Sequence, residues 1–207
     1  MPKPARIPAG RSGRLWLRRR LATATAGRDQ LDRKLRILVP ERQRLLTQAQ
    51  RRHEAWQAAC QQARTWLLRA VVIGGEDAVA SAVPVALARV ELTWTTAMGL
   101  RYPVDAALVA PEPASLVPGN SAVLATAAAY HDAVVAGART AAADEALRRI
   151  DAEIAVTRRR LRALEKRWVP WLEESLAALE LALEQAEQDD GTRLRRAVAA
   201  RPERRSP

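Results

Sequence analysis

Two stretches of the sequence carry small or apolar residues in steps of three and four over many turns, and this pattern restricts the fold most. The first extends from Leu17 to Ile73 and the second from Leu147 to Trp171. Such spacing places a narrow apolar seam along one side of a helix, as in a coiled coil. The sequence therefore predicts two long helices that pack seam to seam. The second seam consists of Leu147, Ile150, Ile154, Thr157, Leu161, Leu164, Trp168 and Trp171.

The predicted fold is mainly α: a long antiparallel two-helix coiled coil with a short middle segment at one end, for which a β-hairpin is one option. Two helices joined by only about 45 residues must be antiparallel if they pair, so that both termini lie at one tip. The expected division is a disordered basic arm (1–13), an N-terminal helix (14–73), a middle segment (74–120), a C-terminal helix (121–196) and a flexible basic tail (197–207).

The boundaries of the middle segment follow from local signals. Gly74 and Gly75 are a helix stop signal, and Asn120 or Ser121 is a suitable N-cap for the next helix. Between them, residues 83–109 are rich in β-branched side chains and partly alternate between apolar and polar. This pattern predicts one or two short strands that turn around residues 99–103 and lean on the helices or on a partner.

Some seam positions depart from the apolar rule. Arg28, Arg42 and Arg52 occupy seam positions of the first helix, where polar residues can fix the register or contact a third body. The alternative is that their stems pack while their charged heads reach water. Trp56, Trp66 and Trp168 also fall on seams, where core packing explains them best.

Two prolines lie inside the predicted helices. Pro40 removes a backbone hydrogen bond and is expected to bend the first helix on its outer face. Near Pro170 the apolar line of the second helix changes phase, because Leu172, Leu176 and Leu179 do not continue the upstream seam. Both prolines are therefore predicted sites of a helix bend or a register change.

The composition favours an acidic partner. Lys and Arg number 34 against 23 Asp and Glu, which gives a net charge of +11. The single cysteine rules out a disulfide within the chain. No apolar run is long enough to span a bilayer, so we expect at most a peripheral relation to membranes. No phosphate-binding loop, metal-ligand spacing or hydrolase motif is present, and we expect no catalytic, metal or cofactor site.

The C-terminal helix resembles the D subunit of the rotary V-type (vacuolar/archaeal-type) ATPases and ATP synthases. That family carries a pattern close to E-I-x-x-T-x-R-R-V-N-A-L-E, then I-P-x-L-E, then L-E-E-x-E-R-E-E-x-x-R-L-K. The first block corresponds to residues 153–165, the second to Val169, Pro170, Leu172 and Glu173, and the third to residues 183–195. Leu161 and Arg162 replace the usual Val-Asn, and Trp168 and Trp171 are bulkier than the usual residues.

The resemblance implies a function. Members of the family form the central rotor shaft, which enters a collar of catalytic A and nucleotide-binding B subunits, pairs with the F subunit, and docks on a C- or d-type subunit above the membrane ring. The shaft transmits torque during proton or sodium transport or ATP synthesis, does no covalent chemistry and binds no nucleotide. It would be cytoplasmic and peripheral to the cell membrane through the complex. Arg159, Arg160 and Arg162, which lie off the seam, are the expected contacts with the collar.

One other interpretation remains open, and a second is ruled out by length. A stand-alone basic coiled-coil scaffold or nucleic-acid-associated protein would also suit the charge, since residues 1–52 hold 15 Lys or Arg and 3 Asp or Glu. However, no nucleic-acid recognition module is present, and no binding of nucleic acid is expected. A gamma-type shaft of the F-type enzymes would need a full α/β domain between its helices, for which the middle segment is too short.

Overall fold

The described residues form three α-helices, a π-helical turn and a β-hairpin. The computed structural model describes residues 7–82, 87–109 and 120–199. Helix α1 comprises Gly10–Ala80, strands β1 and β2 comprise Arg89–Ala97 and Leu100–Val109, and helix α2 comprises Ser121–Ala163. A π-helical turn, Leu164–Trp168, leads into helix α3, Val169–Ala199. The predicted class, two long helical stretches with a short hairpin between them, is confirmed.

The chain divides into two compact units. The terminal unit consists of Met1–Arg33 and Thr157–Pro207, and the hairpin unit consists of Lys34–Val156. Each unit contains parts of α1 and of the C-terminal helical region. The hairpin lies entirely in the hairpin unit.

In the terminal unit, α1 packs against α3 through a small apolar core. Leu17 and Leu172 are completely buried, and Ala24 and Val169 complete the core. Arg11 pairs with Glu187 at 3.0 Å, and Arg18 pairs with Glu180 at 2.6 Å. Since the partner number falls as the α1 number rises, the two helices are antiparallel here.

In the hairpin unit, the largest core joins three elements. Leu38 and Leu45 of α1, Tyr102 of β2, and Ile150 of α2 are all buried in it. The hairpin thus packs on both helices, as its small size requires, because an isolated two-stranded hairpin is marginally stable in water. Farther along, small residues dominate the pairing of α1 and α2: Ala63, Ala70, Ala122, Ala129 and Ala133 are buried.

The helix stop predicted at Gly74 and Gly75 is correct only in part. Gly75 leaves the helical conformation (φ 74°, ψ 171°), but helical turns resume and continue to Ala80. A positive φ is accessible to glycine without steric cost, which explains the break at this position. Ala78 and Val79 then pack against the core around Ala70. At the start of α2, the Asn120 side chain accepts a hydrogen bond from the Val123 N–H at 2.9 Å, so the predicted N-cap is correct.

The hairpin turn is tighter than expected. The turn consists of Met98 and Gly99, both with positive φ (49° and 78°), as a two-residue turn between antiparallel strands requires. The expected turn around residues 99–103 is therefore correct at Gly99 but too long, since residues 100–103, Pro103 included, lie inside β2.

Several helix limits also differ from the prediction. Residues 10–13 belong to α1 rather than to a disordered arm, because α1 begins at Gly10. α3 continues to Ala199, so residues 197–199 are helical. The rest of the predicted arm and tail, residues 1–6 and 200–207, and the proline-rich loop at 110–119 lie outside the described residues.

We expect Ile150→Ala to lower the free energy of unfolding by about 2–5 kcal/mol, because Ile150 of α2 is completely buried in the core that α2 forms with α1 and β2. Ile37→Ala is the matched control, since Ile37 is 49 % exposed and should cost no more than about 0.5 kcal/mol. Urea denaturation followed by circular dichroism measures both. Equal losses in the two variants would contradict the assignment of the core.

Candidate functional site: an arginine surface, a π-helical turn and a clamped hairpin

The three arginines predicted to contact a partner lie close together near the end of α2. Arg159, Arg160 and Arg162 are all exposed. Within the described parts of the chain, no carboxylate lies within ion-pairing distance of any of them. The Nε of Arg162 donates a long hydrogen bond of 3.4 Å to the Arg158 carbonyl. Arg158 is also exposed, so this part of the terminal unit presents a run of cationic heads to solvent.

The acidic residues of α3 have a different role. Glu180 and Glu187 pair with Arg18 and Arg11 of α1 and thus hold the two helices of the terminal unit together. Each of these pairs is largely exposed and contributes little stability alone. Their effect is to satisfy acidic side chains within the unit, whereas the arginines at 159, 160 and 162 are exposed to solvent.

A π-helical turn lies at the predicted change in the phase of the seam. The Val169 N–H donates to the Leu164 carbonyl, a bond across five residues instead of four. The apolar seam shifts by the same extra residue, because Leu164 is half-buried and the next buried residue is Val169, five positions later. Pro170 follows immediately and has no N–H to donate, so an unbroken α-helix would lack a hydrogen bond there in any case.

The π-turn corrects the predicted place of Trp168. The spacing of the sequence assigns Trp168 to the seam, but the Trp168 side chain is 37 % exposed, and Val169 is buried in place of Trp168. Its ring stacks on Trp171 with centroids 5.1 Å apart and 25° between the planes. Two other predicted seam residues are also more exposed than expected, namely Trp56 at 36 % and Ile73 at 68 %.

Pro40 lies on the exposed face of α1. The helix continues through it, and the break in helical backbone angles inside α1 is at Gly75. A bend at Pro40 therefore remains a prediction.

The seam arginines have distinct partners. Arg42 forms an ion pair with Asp151 across the two helices, which raises the pKa of the Arg42 guanidinium and fixes the helix register. Arg28 pairs with its neighbour Asp29 on the same helix. Arg52 contacts a third body, the hairpin, as the seam pattern allowed.

Arg52 connects three elements of the hairpin unit. Its Nη1 donates to the Arg139 carbonyl of α2 at 3.0 Å, and its Nη2 donates to the Val104 carbonyl at 3.1 Å and to Asp105 Oδ1 at 3.2 Å. The pairing of the strands shows why Val104 is available. Thr93 pairs with Asp105 and Trp94 pairs with Pro103, so Val104 is an extra, bulged residue without a ladder partner. The Arg52 side chain satisfies the carbonyl that the bulge releases.

A second contact anchors the other half of β2 to α1. The buried Tyr102 hydroxyl donates to Glu41 Oε1 at 2.6 Å, and Arg44 binds both Glu41 oxygens at 2.6 and 2.9 Å. Hydrogen bonding by Arg44 lowers the pKa of Glu41. Burial, followed by the bond to Glu41, raises the pKa of Tyr102. The ionised Glu41 and the neutral Tyr102 are thus the forms that clamp the hairpin.

Sequence reasoning does not find the clamp. The bulge at Val104 and the pairing of Tyr102 with Glu41 depend on contacts between distant residues. Trp94 gives a further example, because the guanidinium carbons of Arg101 and Arg149 lie 4.8 and 5.1 Å from its ring centroid. The only local hint in the sequence is that Trp94 and Arg101 lie seven residues apart on either side of the hairpin turn.

Neither a metal site nor a membrane span occurs within residues 7–82, 87–109 and 120–199. Among these residues, no three His, Cys, Asp or Glu side chains cluster in a way that could hold a metal ion. Nor is any helix in these ranges both long and apolar enough to cross a membrane.

Comparison with known families gives one result. The family model described as the D subunit of ATP synthase matches residues 15–199, which is most of the chain. No curated protein matched the sequence. The matched range includes α1 from its first turns, the whole hairpin, the π-turn and α3 to its last residue.

We expect Arg52→Lys to loosen the hairpin, because one ammonium group cannot reach the three acceptors that the guanidinium fork spans. The free energy of hairpin opening should fall by about 1–3 kcal/mol. Hydrogen exchange of residues 89–109 measures it. Arg51→Lys, at the exposed neighbouring position, is the control. Unchanged exchange in Arg52→Lys would show that the guanidinium does not hold the hairpin.

The clamp should also respond to acid. Because the folded pKa of Glu41 is lowered, its contribution to stability is complete above the unfolded pKa near 4.5 and is lost as the pH falls through the lower folded value. We therefore expect the difference in melting temperature between the wild type and Glu41→Gln to shrink from pH 6 to pH 3. A difference that stays constant over this range would rule out ionised Glu41 as the anchor.

Proposed function

Because the chain belongs to the ATP synthase D-subunit family, we propose that it is the central-stalk rotor subunit of a rotary V-type ATPase or ATP synthase. In this role it transmits torque between a collar of catalytic A and nucleotide-binding B subunits and the ion-translocating ring of the membrane. It does no covalent chemistry itself. It would lie in the cytoplasm, peripheral to the cell membrane through the complex.

The observation that carries the proposal is the antiparallel pairing of α1 with the C-terminal helices in each unit. Within the terminal unit, the ion pairs Arg11–Glu187 and Arg18–Glu180 show this order. Within the hairpin unit, Lys34–Glu153 and Arg42–Asp151 show it as well. Paired helices with a packed seam resist twisting better than one helix, because a twist must break side-chain packing along their length. This suits a part that passes torque.

The arginine surface supports a collar contact. A rotor must exchange its contacts with three equivalent catalytic sites, so these contacts should be polar and easily remade. Exposed charge pairs bind weakly and are steered at long range, which meets this need. Arg159, Arg160 and Arg162 are exposed and have no ion-pair partner in the described ranges, and we assign them the role of contacting acidic residues of the A and B subunits.

The hairpin unit offers a surface of a different kind. Near the end of α1, Leu68 and Val72 are 59 % and 85 % exposed, and on α2 Leu124 and Val134 are 59 % and 49 % exposed. Large apolar side chains that lie this exposed on both helices suit contact with a protein partner. We assign this end to the C- or d-type subunit that links the shaft to the membrane ring. The F subunit is the further partner expected beside the shaft.

Co-expression tests the proposal as a whole. The chain, or no chain, is expressed with the A, B and F subunits, and the purified material is assayed for ATP hydrolysis. We expect a stable complex that contains the chain, with hydrolysis that depends on it. If the chain purified free of these subunits and bound duplex DNA with a steep salt dependence, the basic-scaffold interpretation would replace the rotor.

The arginine surface has a separate test in that complex. Changing Arg159, Arg160 and Arg162 together to Glu should reduce the ATPase activity that depends on the chain by roughly tenfold or more, because like charges placed opposite each other oppose association. Arg51→Glu with Arg64→Glu is the control, because both arginines are exposed on α1 in the hairpin unit. Full activity in the triple variant would remove these three residues from the collar contact while leaving the rotor proposal intact.

A further inference from the structure

The π-turn offers the helix two ways to continue its apolar seam. In the structure, the step from Leu164 to Val169 is five residues, and Leu172, Leu176 and Leu179 follow in the core. An unbroken α-helix from Leu164 would instead bring Trp168, Trp171, Ser175 and Ala178 onto the seam, in steps of four, three, four and three. The same sequence thus contains two seams, displaced from each other by one residue.

Opposing contributions act on the two seams. Beside the turn, Trp168 and Trp171 offer more apolar surface than Val169 and Leu172. Farther along, the observed seam is the better one, because it places Leu176 and Leu179 against α1, whereas the alternative seam would place Ser175 and Ala178 there. The observed seam also keeps the ion pairs of Arg18 and Arg11 with α3.

The backbone at the turn is tolerant of both forms. A π-helical turn is rarely favoured over an α-helical one. Here Pro170 removes one hydrogen-bond donor from whichever form the helix takes, and its ring crowds the preceding turn of an α-helix. This reduces the usual advantage of the α form at Leu164–Trp168.

From these observations we propose that Leu164–Trp168 is a register joint with two states. In the major state the turn is π-helical, Val169 and Leu172 are buried, Trp171 is half-buried at the edge of the core, and Trp168 lies exposed and stacked on Trp171. In the minor state the turn is α-helical and α3 is rotated about its own axis by roughly 100°. Trp168 then moves from the surface, and Trp171 from the edge of the core, into the places of Val169 and Leu172 against α1. When the terminal unit is twisted, the joint would switch from one packing to the other instead of deforming gradually, because packed interfaces have discrete arrangements.

This inference concerns two packings of one chain and does not depend on the proposed function. A rotor with such a joint would absorb a fixed angle of twist before passing torque on. A minor state within a few kcal/mol of the major one has a population of about 0.1–10 %, so it is sought in the free full-length chain.

The first test places a fluorine probe on the ring that changes environment. The full chain is labelled with 5-fluorotryptophan, the signal of Trp168 is assigned with Trp168→Phe, and saturation transfer is used to find exchange with a second, buried environment. We expect such a minor signal in the wild type. If Trp168 shows a single environment, the register joint does not exist.

A pair of leucine substitutions then shifts the balance. Ser175→Leu adds an apolar side chain only to the alternative seam and should raise the minor population about tenfold, since burying a leucine is strongly favourable. Glu174→Leu is the control, because Glu174 is exposed and lies on neither seam. An equal rise in both variants, or no rise in Ser175→Leu, would contradict the proposed seams.

Removing one residue from the turn tests its geometry. Deletion of Arg167 shortens the step from Leu164 to Val169 to four residues, so a continuous α-helix satisfies the observed leucine seam. We expect this variant to keep the melting temperature of the wild type and to lose the exchange of Trp168. Deletion of Ala177 from α3 is the control and should lower the melting temperature by several degrees, because no turn compensates for it. A persistent minor signal after deletion of Arg167 would overturn the proposal.

Discussion

The structure depends on keeping two helical seams in phase. An α-helix has 3.6 residues per turn, whereas a seam that alternates steps of three and four repeats every 3.5, so a long pair must adjust its phase. In the terminal unit the adjustment is concentrated in one turn, Leu164–Trp168, where an extra residue is taken up and Val169 reaches the core. Leu17 and Leu172 can then meet in a fully buried contact.

In the hairpin unit, Arg52 can occupy a seam position because the hairpin covers that part of the seam. A guanidinium group at the seam would be costly if it were buried without partners. Arg52 is satisfied because β2 bulges at Val104 and presents a free carbonyl, with Asp105 beside it. The hairpin in turn gains the support that two strands alone lack. The arginine and the bulge thus satisfy each other's hydrogen-bonding groups.

Much of this arrangement follows from periodicity and local signals. The two long helices, the cap at Asn120, the break at Gly75 and the existence of the hairpin can be predicted, because each depends on residues near one another in sequence. The seam after Leu164 can be predicted only in part: the leucines at 172, 176 and 179 indicate a change of phase near Pro170, but not the residue at which it occurs. Trp168 fits an α-helical continuation of the seam. Val169 is buried in its place because it packs in the core with Leu17 and Ala24 of α1, which are distant in sequence. The turn at Gly99 can be predicted but its length cannot, because proline is common in turns, whereas the place of Pro103 inside β2, beside a bulge, depends on the pairing of the strands.

Membership of the ATP synthase D-subunit family joins these features to a role in a rotary complex. The central claim, that the chain turns inside the collar, can be observed directly, because Cys60 is the one cysteine in the sequence and is exposed. A bead would be attached to Cys60 in a reconstituted complex whose collar is fixed to a surface, and the bead would be followed while ATP is hydrolysed. The account predicts continuous rotation in one direction that stops when ATP is withdrawn. A bead that stays still relative to the collar while the same complexes hydrolyse ATP would contradict it.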